Sequence, residues 1–178
     1  MPRNIEIKAR LASPDALEAR VARLAVRGPE LIEQDDTFFH CPDGRLKLRD
    51  FGNGRGELIF YRRADDSGPK TSFYRITATD RPDDLRETLV TAYGELGRVR
   101  KFRRLYMIGR TRVHIDRVEG LGHFMELEVV LGDDEEEGSG FHEAELLINQ
   151  LGIQQKDMIE QAYVDLLAEA GRITSIDW

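Results

Sequence analysis

Polar and apolar residues alternate from the start of the chain: Asn4, Glu6, Lys8 and Arg10 share one parity, and Ile5, Ile7 and Ala9 the other. Successive side chains of an extended strand point to opposite faces, so this stretch predicts a strand with one apolar and one charged face. The pattern returns at Arg45, Lys47 and Arg49, set against Leu46 and Leu48, after a segment at 31–39 that ends in β-favouring Thr37, Phe38 and Phe39. Turns at Pro42-Asp43-Gly44, over 52–56 and over 65–69 separate this strand from two further ones at 57–63 and 70–77. Three more strands are predicted at 98–107, 111–116 and 122–131. Helical spacing interrupts the alternation four times. Ser13 and Pro14 open a helix through Leu17, Val21 and Leu24 that Gly28 can stop. A second runs from Pro82 through Leu85 and Leu89 to a stop near Gly94. Two more are expected at 141–150 and 157–170, the last with Met158, Ile159, Tyr163, Leu166 and Leu167 on its apolar side.

Length and composition narrow this picture. With 178 residues, 40% of them hydrophobic and 33% charged, the chain can build one real core. One domain over 1–170 is expected, with a tail at 171–178 whose Ile173, Ile176 and Trp178 can dock back. The chain has no apolar run near the roughly eighteen residues that read as a membrane span. A lone Cys41 makes no internal disulfide, and the basic start is not followed by a signal-peptide apolar segment. A soluble cytoplasmic protein, monomer or homodimer, is the expectation. A net charge of −7 argues against a nucleic-acid partner and leaves room for a local basic cavity.

The charged strand faces carry the candidate chemistry. Bases dominate the strands that begin near Arg45 and Arg98, whereas Glu6, Glu126 and Glu128 stand apart from them. A phosphate chain needs several cationic groups around its oxygens, and a divalent ion needs neighbouring carboxylates; one cavity with a basic and an acidic side meets both needs. At about 4 Å and an effective dielectric near 20, each cation–phosphate pair contributes roughly 4 kcal/mol before desolvation. Several such pairs favour a long, highly charged ligand. The acidic run at 133–137 is read as a solvated loop, and His114 as a structural hydrogen-bonder.

Glu6-Ile7-Lys8, Leu46-Lys47-Leu48-Arg49, Ser72 with Arg75, Val99 with Lys101 and Arg103, the block from Asp116 through Gly120-Leu121-Gly122 to Glu126 and Glu128, and the late Ala162-Tyr163-Val164-Asp165-Leu166-Leu167 occur in an order that resembles the CYTH superfamily over nearly the whole chain. That superfamily includes class IV adenylate cyclases, thiamine triphosphatases and inorganic triphosphatases, and the Asp116–Glu128 block is most similar to the cyclase-like branch. The resemblance implies an α+β fold, an antiparallel eight-stranded β-barrel or tunnel with flanking helices. It implies a triphosphate (ATP, tripolyphosphate or thiamine triphosphate) bound along that tunnel with Mg2+ or Mn2+.

Carried over by position, the resemblance implies metal-holding roles for Glu6, Glu126 and Glu128. It implies phosphate contacts from Lys8, Lys47, Arg49, Arg75, Lys101 and Arg103, with Arg112 added because it shares a face with Asp116. Lys8, Arg62 and Asp116 are the expected catalytic set, Asp116 beside the metal or orienting a base. Tyr163 and Phe124 are assigned to packing. Asn4 stands where the family pattern has its first glutamate, Thr77 where relatives commonly have an acid, and Arg62 or Arg63 where a lysine is frequent. The expected function is a metal-dependent, class IV cyclase-like conversion of ATP to cyclic AMP and pyrophosphate. The alternatives are hydrolysis of a terminal phosphate and a non-catalytic polyphosphate- or nucleotide-binding module.

Overall fold

The structure, a computed structural model, describes residues 2–63 and 68–171. The alternating segments form antiparallel strands: β1 (Arg3–Arg10), β2 (Arg27–Phe39), β3 (Arg45–Asp50), β4 (Gly56–Arg63), β5 (Lys70–Thr79), β6 (Glu95–Ile108), β7 (Thr111–Val118) and β8 (Gly122–Val130). They hydrogen-bond in the order β1-β5-β4-β3-β2-β6-β7-β8 and back to β1, so the eight-stranded sheet closes into a ring. Four helices flank it: α1 (Pro14–Leu24), α2 (Pro82–Tyr93), α3 (Glu137–Leu151) and α4 (Tyr163–Glu169).

The alternation decides which side of the ring becomes the core. On β1, Ile5, Ile7 and Ala9 point outward and are buried, as are Val113 and Ile115 of β7 and Met125, Leu127 and Val129 of β8. Leu17 and Val21 of α1 and Ala144, Leu147, Ile148 and Leu151 of α3 cover them. Each such aliphatic side chain contributes roughly 1.5–3 kcal/mol by leaving water, so the main core lies outside the ring. The polar parity is thereby turned inward, and the ring surrounds a polar tunnel.

Close approach of α3 to β1 depends on Gly140, where a Cβ would stand 2.7 Å from both Ile5 Cγ1 and Leu131 Cδ2. Gly140→Ala is therefore expected to lower folding stability by about 1–3 kcal/mol despite alanine's better helix propensity. Denaturant unfolding measures this, and an unchanged midpoint would show that the contact yields freely.

A second apolar cluster joins Phe38, Val99, Val118 and Phe124 at one end of the tunnel to Tyr163, Val164, Leu166 and Leu167 of α4. Asp165 ties α4 to β3 through a two-pronged contact with Arg45, at 2.6 and 3.1 Å. Helix α4 stoppers that end.

The expected α+β tunnel fold is present, with four local differences. Helix α1 stops at Leu24, and Gly28 lies inside β2, where a Cβ would meet the Leu105 carbonyl oxygen at 2.6 Å. Helix α3 begins earlier than expected, at Glu137, so the acidic run is not wholly loop. The last helix begins later, at Tyr163. Met158 and Ile159 of the expected helix are drawn into a strand-like contact with β1, Met158 bridging Ala9 and the Ile159 N–H bonding the Lys8 carbonyl. The expected docking of Ile173, Ile176 and Trp178, and the turn at Asp65, Asp66 and Ser67, lie outside the described residues. Among the described residues, no helix is long and apolar enough to cross a membrane.

Candidate active site

A cavity of about 370 Å³ runs inside the ring. Its wall includes Glu6 and Lys8 of β1, Gln34 and Asp36 of β2, Lys47 and Arg49 of β3, Arg63 of β4, Tyr74 of β5, Lys101 and Arg103 of β6, Arg112 and His114 of β7, and Glu126 and Glu128 of β8. Register explains the assembly. Across β1 and β8, Glu6 faces Glu128 and Lys8 faces Glu126; across β7 and β8, His114 faces Glu126 and Arg112 faces Glu128. Two carboxylates directly opposite repel unless something between or beside them compensates.

Compensation comes from cations that line the cavity. Arg63 Nη1 reaches Glu6 Oε1 at 2.6 Å, Arg112 Nε reaches Glu128 at 2.8 Å, and Lys8 Nζ reaches Glu126 at 3.2 Å. Arg103 grips Asp116 with two bonds, at 2.8 and 2.6 Å, and turns the same Nη2 to Glu126 at 3.0 Å. On the opposite wall Asp36 collects Arg49 and Lys47 at 2.8 Å and Lys101 at 3.8 Å. The basic wall thus holds an acid of its own, where the sequence reading expected bases and acids apart.

Burial in this setting moves the titrating groups. Burial tends to raise the Asp36 carboxyl, but Arg49, Lys47 and Lys101 outweigh it and hold the group well below the usual carboxylate range. Burial likewise opposes ionisation of Glu126, which Lys8, the His114 contact and Arg103 override, keeping it well below normal. Lys101, through burial and then the charge of Arg103, is pushed down to about 7, and Lys47, through burial and Arg49, to about 8.

An unfolded lysine titrates near 10.4, so between about pH 7 and 10.4 the unfolded chain holds protons at Lys101 that the folded chain has shed. Stability therefore rises with pH across that window. A phosphate chain placed beside Asp36, Lys47, Arg103, Asp116 and the Tyr163 ring, which surround this ammonium, favours the charged lysine again. Binding of tripolyphosphate at pH 8 is expected to take up protons, read from titration heats in buffers of different ionisation enthalpy. Uptake should shrink in Lys101→Met, and its absence in the native protein would contradict the depressed lysine.

Most predicted site residues converge on the cavity: Glu6, Lys8, Lys47, Arg49, Lys101, Arg103, Arg112, Glu126 and Glu128 all line it. Two do not. Arg62 points outward and pairs with Asp43 at the surface, 3.1 Å away, while its neighbour Arg63 faces the tunnel. Arg75 is exposed, because β5 turns Ser72, Tyr74 and Ile76 inward. Thr77 is exposed with it. Asp116 is fully buried behind Arg103 and also accepts the Tyr163 hydroxyl at 3.2 Å, which makes it a positioning group for the arginine. Residues missed from sequence are Asp36 and Gln34, together with His114 and Tyr163, whose chemistry was set aside; of the alternatives Arg62 and Arg63, it is Arg63 that lines the cavity. The Tyr163 ring closes the stoppered end beneath the ammonium groups of Lys8, 4.0 Å away, and Lys101, 5.0 Å away. Cation–π contacts of this kind hold lysines without neutralising them.

The donor set fits a divalent cation. His114, Glu126 and Glu128 each offer one ligand atom, and these atoms lie within 4.8 Å of one another. Asn4 Oδ1 on β1 and Gln34 Oε1 on β2 also belong to residues lining the cavity, are buried and lack a partner among the described residues, leaving acceptor capacity that a native interior rarely wastes.

The family model for the CYTH domain matches residues 2–163. The chain belongs to the CYTH family. This CYTH protein is 24% identical over 177 residues to MJ0240 of Methanocaldococcus jannaschii, provisionally named an adenylate cyclase, covering 91% of this chain and 97% of that one. It is also 24% identical over 186 residues to adenylate cyclase CyaB of Aeromonas hydrophila, covering 96% and 92%. Among solved structures, PH1012 of Pyrococcus horikoshii superposes with a TM-score of 0.82 at 20% identity, covering 92% of this chain and 98% of that one. HpAC1 of Hippeastrum, described as having a dominant triphosphatase activity, superposes at 0.67 with 16% identity, each chain 98% covered. These likenesses establish the fold, and the family's metal-dependent cyclase and triphosphatase members frame the chemistry.

Proposed function

We propose that this CYTH protein converts ATP to cyclic AMP and pyrophosphate in the tunnel, with Mg2+ or Mn2+ held at the acidic wall. The observation that carries the reading is one cavity inside the ring with Lys47, Arg49 and Lys101 on one wall and Glu126, Glu128 and His114 on the other. The triphosphate displaces Asp36 from its cations and takes up Lys47, Arg49, Lys101 and Arg103, its terminal phosphate toward Tyr163. Ile32, Phe51, Ile76 and Leu105, which also line the cavity, supply apolar surface for an organic group. Glu126, Glu128 and His114 would hold a divalent ion, which would supply Lewis acidity to the α-phosphoryl group and the attacking hydroxyl. The ribose 3′-oxygen displaces pyrophosphate from the α-phosphorus, its proton passing to water. Fixed guanidinium groups then stabilise the charge that collects on the leaving pyrophosphate, without reorganisation at the moment of reaction. Arg63 and Arg112 hold Glu6 and Glu128 in place, and Asp116 aims Arg103.

A second reading, hydrolysis of a terminal phosphate, draws on Arg63. It keeps an anion grip but stays charged, and so cannot exchange protons with a substrate as lysine does. The test is incubation with Mg2+ or Mn2+ and, separately, ATP, tripolyphosphate and thiamine triphosphate, with chromatography of the products. Cyclic AMP with pyrophosphate supports the cyclase. Orthophosphate alone transfers the assignment to the hydrolase, and binding without product leaves a binding module.

A further inference from the structure

We propose that the divalent cation is held by a mixed nitrogen and oxygen site in which His114 is a direct ligand beside Glu126 and Glu128, taking the place that Asn4 and the Arg63-paired Glu6 leave. The inference rests on the metal reading above and names a ligand that the carboxylate pattern does not supply.

Four observations converge. His114 sits directly across from Glu126 in the β7–β8 register and has Leu105 on its other flank, on β6. It is buried, 3% exposed, on the inner face of the ring. Its Nδ1 lies 3.5 Å from Glu126 Oε2 and 3.9 Å from Glu128 Oε1, too long for a strong hydrogen bond and close enough for all three to contract onto one ion. Glu6, the carboxylate that register sets opposite Glu128, is drawn to Arg63 at 2.6 Å and stands outside the three side chains whose ligand atoms gather within 4.8 Å, and Asn4, next along that face, carries no charge. With two carboxylates near the ion, a neutral imidazole supplies a third donor without adding repulsion.

Ligand type sets the preference. Imidazole suits transition ions, whereas Mg2+ takes oxygen donors and gives up water reluctantly. The site is therefore expected to favour Mn2+ over Mg2+, and His114→Gln to weaken Mn2+ binding roughly tenfold or more while leaving the Mg2+ affinity less affected.

Pulsed electron paramagnetic resonance of the full chain loaded with Mn2+, alone and then with tripolyphosphate, tests this directly. The native protein should show 14N modulation from a coordinated imidazole, and selective 15N-histidine labelling, which requires no variant, should remove it. His114→Gln should lose it too. Bound Mn2+ without 14N coupling, or coupling that survives either change, overturns the histidine ligand and leaves a carboxylate metal site standing. Failure of Mn2+ to bind the native protein at all, with or without tripolyphosphate, overturns both the ligand and the metal reading beneath it.

Discussion

Asp36→Ala is expected to lose about 3–5 kcal/mol of folding stability in phosphate-free buffer and to recover much of that loss when tripolyphosphate is added. Asp36 is 1% exposed and stands among Arg49, Lys47 and Lys101. Removing it leaves three buried cations without their shared anion. Repulsion between cations costs more in a buried setting than at the surface, because less water screens it. The two lysines can shed their protons and relieve part of the strain; Arg49 cannot. The deficit should therefore be greatest below pH 7 and shrink as the medium becomes alkaline.

The second half of the expectation separates a binding wall from a structural ion cluster. If Asp36 occupies the position that a phosphate takes on binding, the variant presents the same cations with no internal competitor. A ligand at one hundred times its dissociation constant stabilises by about 2.7 kcal/mol, and a tighter complex by more. The melting temperature of Asp36→Ala should then rise further with tripolyphosphate than that of the native protein. Equal shifts in the two proteins would mean that the phosphate chain does not use this wall.

Much of this arrangement was legible in the sequence because strand parity has only two values. Once Ile5 and Ile7 are assigned to the core, Glu6 and Lys8 must face the other way, and the same step puts Lys47 with Arg49, Lys101 with Arg103, and Glu126 with Glu128. It fails where adjacent residues are chemically alike. Arg62 and Arg63 differ by one position, and only the pairing of Tyr61 with Tyr74 and Arg63 with Ser72 fixes which enters the tunnel. Arg75 was carried over with Ser72, from which it is three residues away and so on the opposite face. Parity alone would have refused it.

Asp36 was hidden for a different reason. Asp35 and Asp36 lie side by side in a strand whose edges were unclear, and Asp35 binds Arg98 and Arg100 on the outer surface while Asp36 holds the inner cations. The end of the tunnel was also invisible, since helical periodicity places Tyr163 on an apolar face without revealing that the face stoppers a cavity. Nor does a histidine in a strand announce that register will set it against Glu126.

Glu126→Gln is the substitution expected to remove metal-dependent turnover, by at least the roughly 10–100-fold that loss of even an outer partner of a metal site costs in affinity or activity. The change is nearly isosteric and keeps a hydrogen-bond acceptor for Arg103 and Lys8, so the wall should stay folded. What disappears is one negative charge from the site that the cation needs. The same loss leaves Lys8 and Arg103 with less internal anion to satisfy them, and metal-free tripolyphosphate should bind as well as before or more tightly. Arg103→Ala supplies the opposite pattern: the triphosphate loses a grip, and Asp116, fully buried, loses the cation that holds its pKa low, so binding weakens with or without metal. Turnover with each metal, set beside metal-free calorimetry, distinguishes the two walls. A Glu126→Gln protein that retains activity would place the cation elsewhere, and one that loses metal-free binding would make Glu126 part of the phosphate wall's scaffold.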